Sequence, residues 1–133
     1  MVWLLDTNIV SYAMRERDPE ILRRVQLVGA ANVRISALVA AEILTGAKRN
    51  AAREAQLTTD FAGFISHVAV EPWTYSCAGA YAEIDHHLRA IGKPIGVMDT
   101  LIAAHALSLD AVLVTNNVRH FERIRGIKLE NWV

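Results

Sequence analysis

Apolar and polar positions fall into short blocks that alternate between strand-like and helix-like spacing. Val2-Trp3-Leu4-Leu5 is an apolar run that stops at Asp6, the pattern of a buried strand ending at a turn. Thr7 and Asn8 can cap a helix that runs to about Met14. Arg15-Glu16-Arg17-Asp18 reads as a polar turn. Asp18-Pro19-Glu20 then combines a capping carboxylate with proline at the first helical position, and Ile21, Leu22, Val25 and Val28 follow at helical spacing until Gly29. Val33-Arg34-Ile35 predicts a second strand. Ser36 can cap a third helix reaching about Ala47, with Leu38, Val39 and Glu42 on one face. A fourth helix is expected from Ala51 to about Ile65, and a third strand over His67–Val70, ended by Pro72.

The second half repeats the theme. Trp73 to Ile91 predicts one long helix whose aromatics, Tyr75 and Tyr81, pack inward. The stretch from Gly92 to Gly96 is a loop by composition. Val97-Met98-Asp99-Thr100 opens a helix that is apolar almost all round and therefore central and buried. Asp99 lies in its first turn, where the dipole favours a negative charge. His105 reads as a core histidine with one nitrogen satisfied. Ala111–Val114 is the clearest strand and ends in Thr115-Asn116-Asn117. A short helix around Arg119 to Arg123 and an edge strand over Lys128–Glu130 complete the chain. Strands alternating with helices predict an α/β fold. It should be one domain over 1–133, with a central parallel sheet of four to five strands, right-handed crossovers and helices on both faces.

Composition narrows the class. The chain has 133 residues, 53% of them apolar, enough for a single buried core. Fourteen Lys and Arg balance 14 Asp and Glu, so global charge favours neither nucleic acid nor membrane, and an anionic partner must meet a local patch. Lys48, Arg49 and Arg53 form one such patch, and Arg119, Arg123 and Arg125 another, although a basic cluster is more often a solvated helix face. Cys77 is the single cysteine, which excludes an internal disulfide and fits a reducing compartment. Asp6 interrupts the first apolar run with no basic segment before it, which argues against a signal peptide. No apolar run is long enough to span a bilayer. A cytoplasmic protein is expected.

Three carboxylates stand out. Asp6, Glu42 and Asp99 each fall at an element end or on a core-facing side, and winding about one sheet can bring them together at its carboxyl edge. Taken alone, Asp6 would read as a helix cap. Three unpaired carboxylates would repel and some would take up protons, and a divalent cation removes that conflict. Oxygen donors without cysteine or paired histidine point to Mg²⁺ or Mn²⁺ rather than Zn²⁺. Such an ion can activate water and stabilise charge on a phosphodiester. No P-loop or serine-elbow motif is present.

These residues carry a family resemblance. Leu4-Leu5-Asp6-Thr7-Asn8 resembles the opening of PIN-domain nucleases, and Ile35 to Ile43 resembles their second motif, ending in Glu42. Pro94-Ile95-Gly96-Val97-Met98-Asp99 with Ile102–Ala106 resembles the third, and Val114 to Phe121 the fourth. Four motifs in order span nearly the whole chain, and they resemble the VapC-type toxins of bacterial type II toxin–antitoxin pairs. The resemblance implies a PIN-like fold and a magnesium-dependent endoribonuclease. It implies a homodimer, silenced by a VapB-type antitoxin, and a larger assembly with that antitoxin. By the same match, Asp6, Glu42 and Asp99 hold the metal. Asn117 falls where many PIN domains place a further aspartate, so here it can act only as a neutral ligand or as an amide that positions water. Thr7, Asn8, Thr115, Asn116 and His120 support the site. The Thr115-Asn116-Asn117 form resembles a subgroup that cuts initiator tRNA in its anticodon loop. His120 departs from that subgroup, whose members tend to carry glutamate there.

Two other classes compete. A phosphoacceptor receiver domain shares the size, the architecture and an acidic pocket, and has a Lys-Pro pair like Lys93-Pro94. That pair should follow the last core strand, whereas here it precedes the helix bearing Asp99. A degenerate toxin that only binds its antitoxin is the other, against which the three intact carboxylates argue. A haloacid-dehalogenase-type phosphatase would need an aspartate where this chain has Asn8.

Overall fold

Strand β1 (Trp3–Leu5) runs between β2 (Val33–Ser36) and β4 (Val112–Val114), with Leu5 in register with Ile35 on one side and Val114 on the other. A computed structural model describes residues 1–15 and 18–133. Glu16 and Arg17, the middle of the expected polar turn, lie outside the described residues. β3 (Ala69–Glu71) extends the sheet beyond β2 and β5 (Lys128–Glu130) beyond β4, so the order is β3-β2-β1-β4-β5 with every pair parallel. Leu4, Leu5, Ile35, Leu113 and Val114 are fully buried. A parallel sheet covered on both faces requires such continuous apolar strands.

Among the described residues, seven helices cover the sheet: α1 (Thr7–Arg15), α2 (Pro19–Val28), α3 (Ala37–Lys48), α4 (Glu54–Ile65), α5 (Ala78–Ala90), α6 (Val97–Ser108) and α7 (Val118–Phe121). Local chemistry sets several of their ends. The Asp18 carboxylate accepts from the amides of Glu20 and Ile21 at 2.9 and 3.4 Å and starts α2. Gly29, at φ +90°, ends it in a conformation that suits a residue without Cβ. Ser36 Oγ accepts from the Leu38 amide at 3.1 Å and caps α3. The run Ile102–Ala106 of α6 is buried throughout, as its all-round apolar pattern predicts.

Chain direction explains where a site can form. From β1 the chain moves outward to β2 and β3, then crosses back to β4 and moves outward the other way to β5. Right-handed crossovers therefore put helices on both faces. β1 and β4 are the strands at which the order reverses, and in open α/β sheets ligands bind beyond the carboxyl ends of such strands.

Some boundaries differ from expectation. α4 begins at Glu54, because Ala51–Arg53 turn with the Arg53 amide on the Asn50 carbonyl at 3.0 Å. β3 lies later than His67–Val70, where Arg34 pairs with Ala69 and its guanidinium reaches Glu71 at 3.0 Å. The stretch from Trp73 to Ile91 is not one helix. Trp73 Nε1 donates to the Leu101 carbonyl at 2.9 Å, and a single 3₁₀ turn over Tyr75–Cys77 precedes α5. That turn leaves Tyr75 92% exposed, so Tyr75 is not the packing residue expected. Among the described residues, no helix is long and apolar enough to cross a membrane.

Candidate active site

Asp6 is the first residue beyond β1. Its amide donates to the Val114 carbonyl at 3.0 Å, and its own carbonyl accepts from Val10 at 3.1 Å, so strand and helix meet at this residue. The carboxylate accepts from the Ile9 amide at 3.0 Å and from the Thr115 hydroxyl. The side chain is buried, 7% exposed. Burial pushes its pKa above the usual carboxylate range. The hydrogen bonds from Thr115 and Ile9 oppose this, while the charges of Asp99 and Glu42 add to it. Asp6 is thus a helix cap, and it also feels two other carboxylates.

Glu42 reaches the same edge from the second turn of α3, where its carboxylate accepts from the Thr7 hydroxyl. Asp99 comes from the first turn of α6. Burial raises its pKa and Glu42 raises it further, whereas His120 pulls it down. His120 Nε2 stands 3.4 Å from Asp99 Oδ2 and 2.9 Å from the Ile95 carbonyl oxygen. On the far side of Asp6, Thr115 Oγ1 accepts from the Asn117 amide at 3.0 Å. The side chains of Asn116 and Asn117 are exposed at the rim. Asp6, Glu42, Asp99, Thr7, Thr115 and His120 therefore form one connected neighbourhood, with Asn117 at its edge.

The donor set has the chemistry of a hard-cation site, with oxygen ligands whose mutual repulsion an ion would relieve. As they stand, no three His, Cys, Asp or Glu side chains among the described residues are grouped tightly enough to hold one ion. Glu42 is engaged by Thr7 and Asp99 by His120, so an ion would compete with both for its ligands.

The basic residues are more dispersed. Lys48 pairs with Glu54 at 2.6 Å, a contact that raises its pKa. Arg49 is exposed after α3, and Arg53 lines a groove between α2 and α4. Arg119 and Arg123 are exposed around α7. Arg125 lies with His86 and His87 in a groove between α5 and α6.

Two features were not read from the sequence. His105 Nδ1 is 2.9 Å from Ser36 Oγ, and the ring also has the Pro72 backbone as a hydrogen-bond partner. This contact joins the helix bearing Glu42 to the helix bearing Asp99. Secondly, Ser11, Arg15 and Asn50 line a cleft with Thr7 and Glu42. The fourfold spacing Thr7, Ser11, Arg15 was the available signal.

Comparison with known proteins identifies the family. A family model described as PIN domain matches residues 3–127. The chain is 35% identical to Ribonuclease VapC2 of Rickettsia felis, covering 99% of this chain and 98% of that one. It is also 35% identical to the tRNA(fMet)-specific endonuclease VapC of Salmonella typhimurium, covering 98% and 97%. In structure it is similar to a chain of VapBC2 from Rickettsia felis bound to a promoter DNA fragment, with TM-score 0.94, 33% identity and full coverage of both chains. The sheet order and these full-length likenesses agree, and the chain belongs to the PIN-domain family and, within it, to the VapC ribonucleases.

Proposed function

We propose that this protein is a Mg²⁺-dependent endoribonuclease, in which Mn²⁺ can replace Mg²⁺, and the toxin of a toxin–antitoxin pair. The observation that carries the reading is the meeting of Asp6, Glu42 and Asp99 at the carboxyl edge of β1, with the pKa values of Asp6 and Asp99 raised by burial and by neighbouring carboxylates. These three would hold the ion, and when bound it would lower the pKa of water and stabilise negative charge on the phosphate in flight. The Ile9 amide and Thr115 hydroxyl orient Asp6, and the Thr7 hydroxyl orients Glu42. Asn117, at the rim, offers an amide to a water or a phosphate oxygen. Neither Asn116 nor Asn117 can add charge to the site.

The substrate is proposed to be a tRNA. This rests on the name of the Salmonella relative, which is specific for tRNA(fMet), and on the Thr115-Asn116-Asn117 strand end. An antitoxin partner is proposed from the Rickettsia assembly, in which a VapC chain is solved with VapB. An arginine from such a partner would pair with two of these carboxylates and block them. A homodimer in the cytoplasm completes the proposal.

The test is cleavage of tRNA and of unstructured RNA by purified protein across a Mg²⁺ titration. Asp6→Asn, Glu42→Gln and Asp99→Asn are each expected to abolish it. Near-normal cleavage by any one of them would overturn the metal assignment.

A further inference from the structure

Two rows of side chains face one another beside the catalytic carboxylates. On α1, Thr7, Ser11 and Arg15 recur every fourth residue and so share one face. On α3, Glu42 and Gly46 do the same, and Asn50 continues the row just past the helix end. Between the rows lies a cleft of about 240 Å³, floored by Met14, Ile43, Ala47 and Leu57. Thr7 and Glu42, joined by a hydrogen bond, line this cleft and also belong to the candidate active site, so the two adjoin.

Gly46 adds no side chain to the cleft wall. A Cβ built there would meet no atom within 4 Å, so no neighbour demands glycine at this position. Glycine is unfavourable in a helix interior compared with alanine. Its effect here is to leave space between two packed helices.

We propose that this cleft is a nucleotide subsite, taking one nucleotide of the RNA strand next to the scissile phosphate. The base would lie on the apolar floor, and Ser11 and Asn50 would offer hydroxyl and amide groups to its edge. Arg15, at the end away from Glu42, would meet a further phosphate. The proposal rests on the ribonuclease reading. RNA is favoured over an antitoxin segment because the cleft joins Glu42 to Ser11, Asn50 and Arg15, a hydroxyl, an amide and a cation that suit a base edge and a phosphate. An apolar peptide has a larger groove, about 820 Å³, lined by Leu22, Val25, Phe64 and Val68 and adjoining this one at Met14 and Arg15.

The experiment uses the full chain and oligoribonucleotides around a mapped cleavage site, lengthened one nucleotide at a time on each side. For the unmodified protein, kcat/KM is expected to rise about tenfold at one added nucleotide. Gly46→Leu, which fills the cleft, should lose that single increment and keep the others. Gly46→Ala should keep it, and Asn50→Asp, an exposed change that cannot disturb the core, should diminish it. Binding of antitoxin peptide to the same variants is measured alongside. An increment that survives both Gly46→Leu and Asn50→Asp, or that is absent from the unmodified protein, overturns the subsite. So does loss of peptide binding in Gly46→Leu with the increment intact, which would assign the cleft to the antitoxin. Complete failure of the unmodified protein to cleave RNA would instead remove the ribonuclease reading, and the subsite with it.

Discussion

His120 Nε2 lies 3.4 Å from Asp99 Oδ2 while donating to the Ile95 carbonyl oxygen at 2.9 Å. A carbonyl can only accept, so Nε2 carries a proton and the ring presents it between the two oxygens. α7 is thereby tied to the loop that leads into α6. Of the influences on Asp99, His120 is the one that favours its charged form, against burial and Glu42.

That opposition gives a prediction about metal binding. His120→Ala leaves burial and Glu42 unopposed, so the Asp99 pKa should rise further. A cation needs the ionised carboxylate, and a higher pKa moves the loss of ionisation to higher pH. Mg²⁺ affinity should therefore fall away at a higher pH in His120→Ala than in the unmodified protein. Titration of Mg²⁺ by calorimetry across mildly acidic to mildly alkaline pH reads this directly. Coincident affinity–pH curves would mean that His120 does not govern Asp99.

The carboxylates themselves should be a burden on stability. Asp6 and Asp99 have folded pKa values above their ordinary ones. The folded state therefore holds their protons more tightly than the unfolded chain does. Their favourable contribution is complete below the ordinary carboxylate range and is lost as pH rises through the raised values. Asp6→Asn and Asp99→Asn should match or exceed the unmodified protein in Tm at pH 7, with the gain shrinking toward pH 4. Mg²⁺ should stabilise the fold, and so raise Tm, only where all three carboxylates are present, by about 2.7 kcal/mol at a hundredfold excess over Kd. Lower Tm at pH 7 in both variants would contradict the burial argument.

How much of this was legible in the sequence depends on what sets each feature. The mutual approach of Asp6, Glu42 and Asp99 was legible because each is a charge in an apolar stretch of sequence, and the cost of that setting is local and visible. The bounds of β3 could not, because they follow from pairing with Arg34 and Ser36 on a strand more than thirty residues away. The break before α5 likewise depends on Trp73 reaching Leu101. The second partner of His105 is a backbone carbonyl, at Pro72, which no side-chain pattern announces. The cleft lies between these cases. Its fourfold rows are written in the sequence, but only the packing of α1 against α3 sets them face to face.

Salt dependence should separate the two basic patches. Each phosphate contact with single-stranded RNA contributes about 0.7 to the slope of log affinity against log salt. Lys48 already spends its charge on Glu54 at 2.6 Å, so Lys48→Gln should leave the slope nearly unchanged. Arg49→Gln and Arg119→Gln, both exposed, test the two patches. The patch that docks RNA should lose about 0.7 per substitution in filter-binding or anisotropy titrations. Equal slopes throughout would remove both patches from the interface.

Ser36 serves two elements at once, and its replacement should cost more than a cap. Its hydroxyl oxygen accepts from the Leu38 amide at 3.1 Å, and its proton is free for His105 Nδ1 at 2.9 Å. With Nδ1 accepting that proton, the neutral ring carries its own proton on Nε2. Burial holds the His105 pKa below its ordinary value, against the Glu71 charge and the Pro72 hydrogen bond. The unfolded chain therefore takes up this proton first, and the contribution to stability is full above pH ~6.5 and is lost as pH falls through the depressed folded value. Ser36→Ala should cost about 1 kcal/mol for the lost cap. It should cost about 1–3 kcal/mol more for the buried nitrogen left without a donor. His105→Phe keeps the cap and removes the titrating group, so its urea-unfolding stability should depend less on pH below 6.5 than that of the unmodified protein. Because the contact joins α3 to α6, both variants should also weaken Mg²⁺ binding, although neither residue touches the carboxylates. A Ser36→Ala loss confined to about 1 kcal/mol, with Mg²⁺ affinity unchanged, would reduce Ser36 to a helix cap and leave His105 as packing.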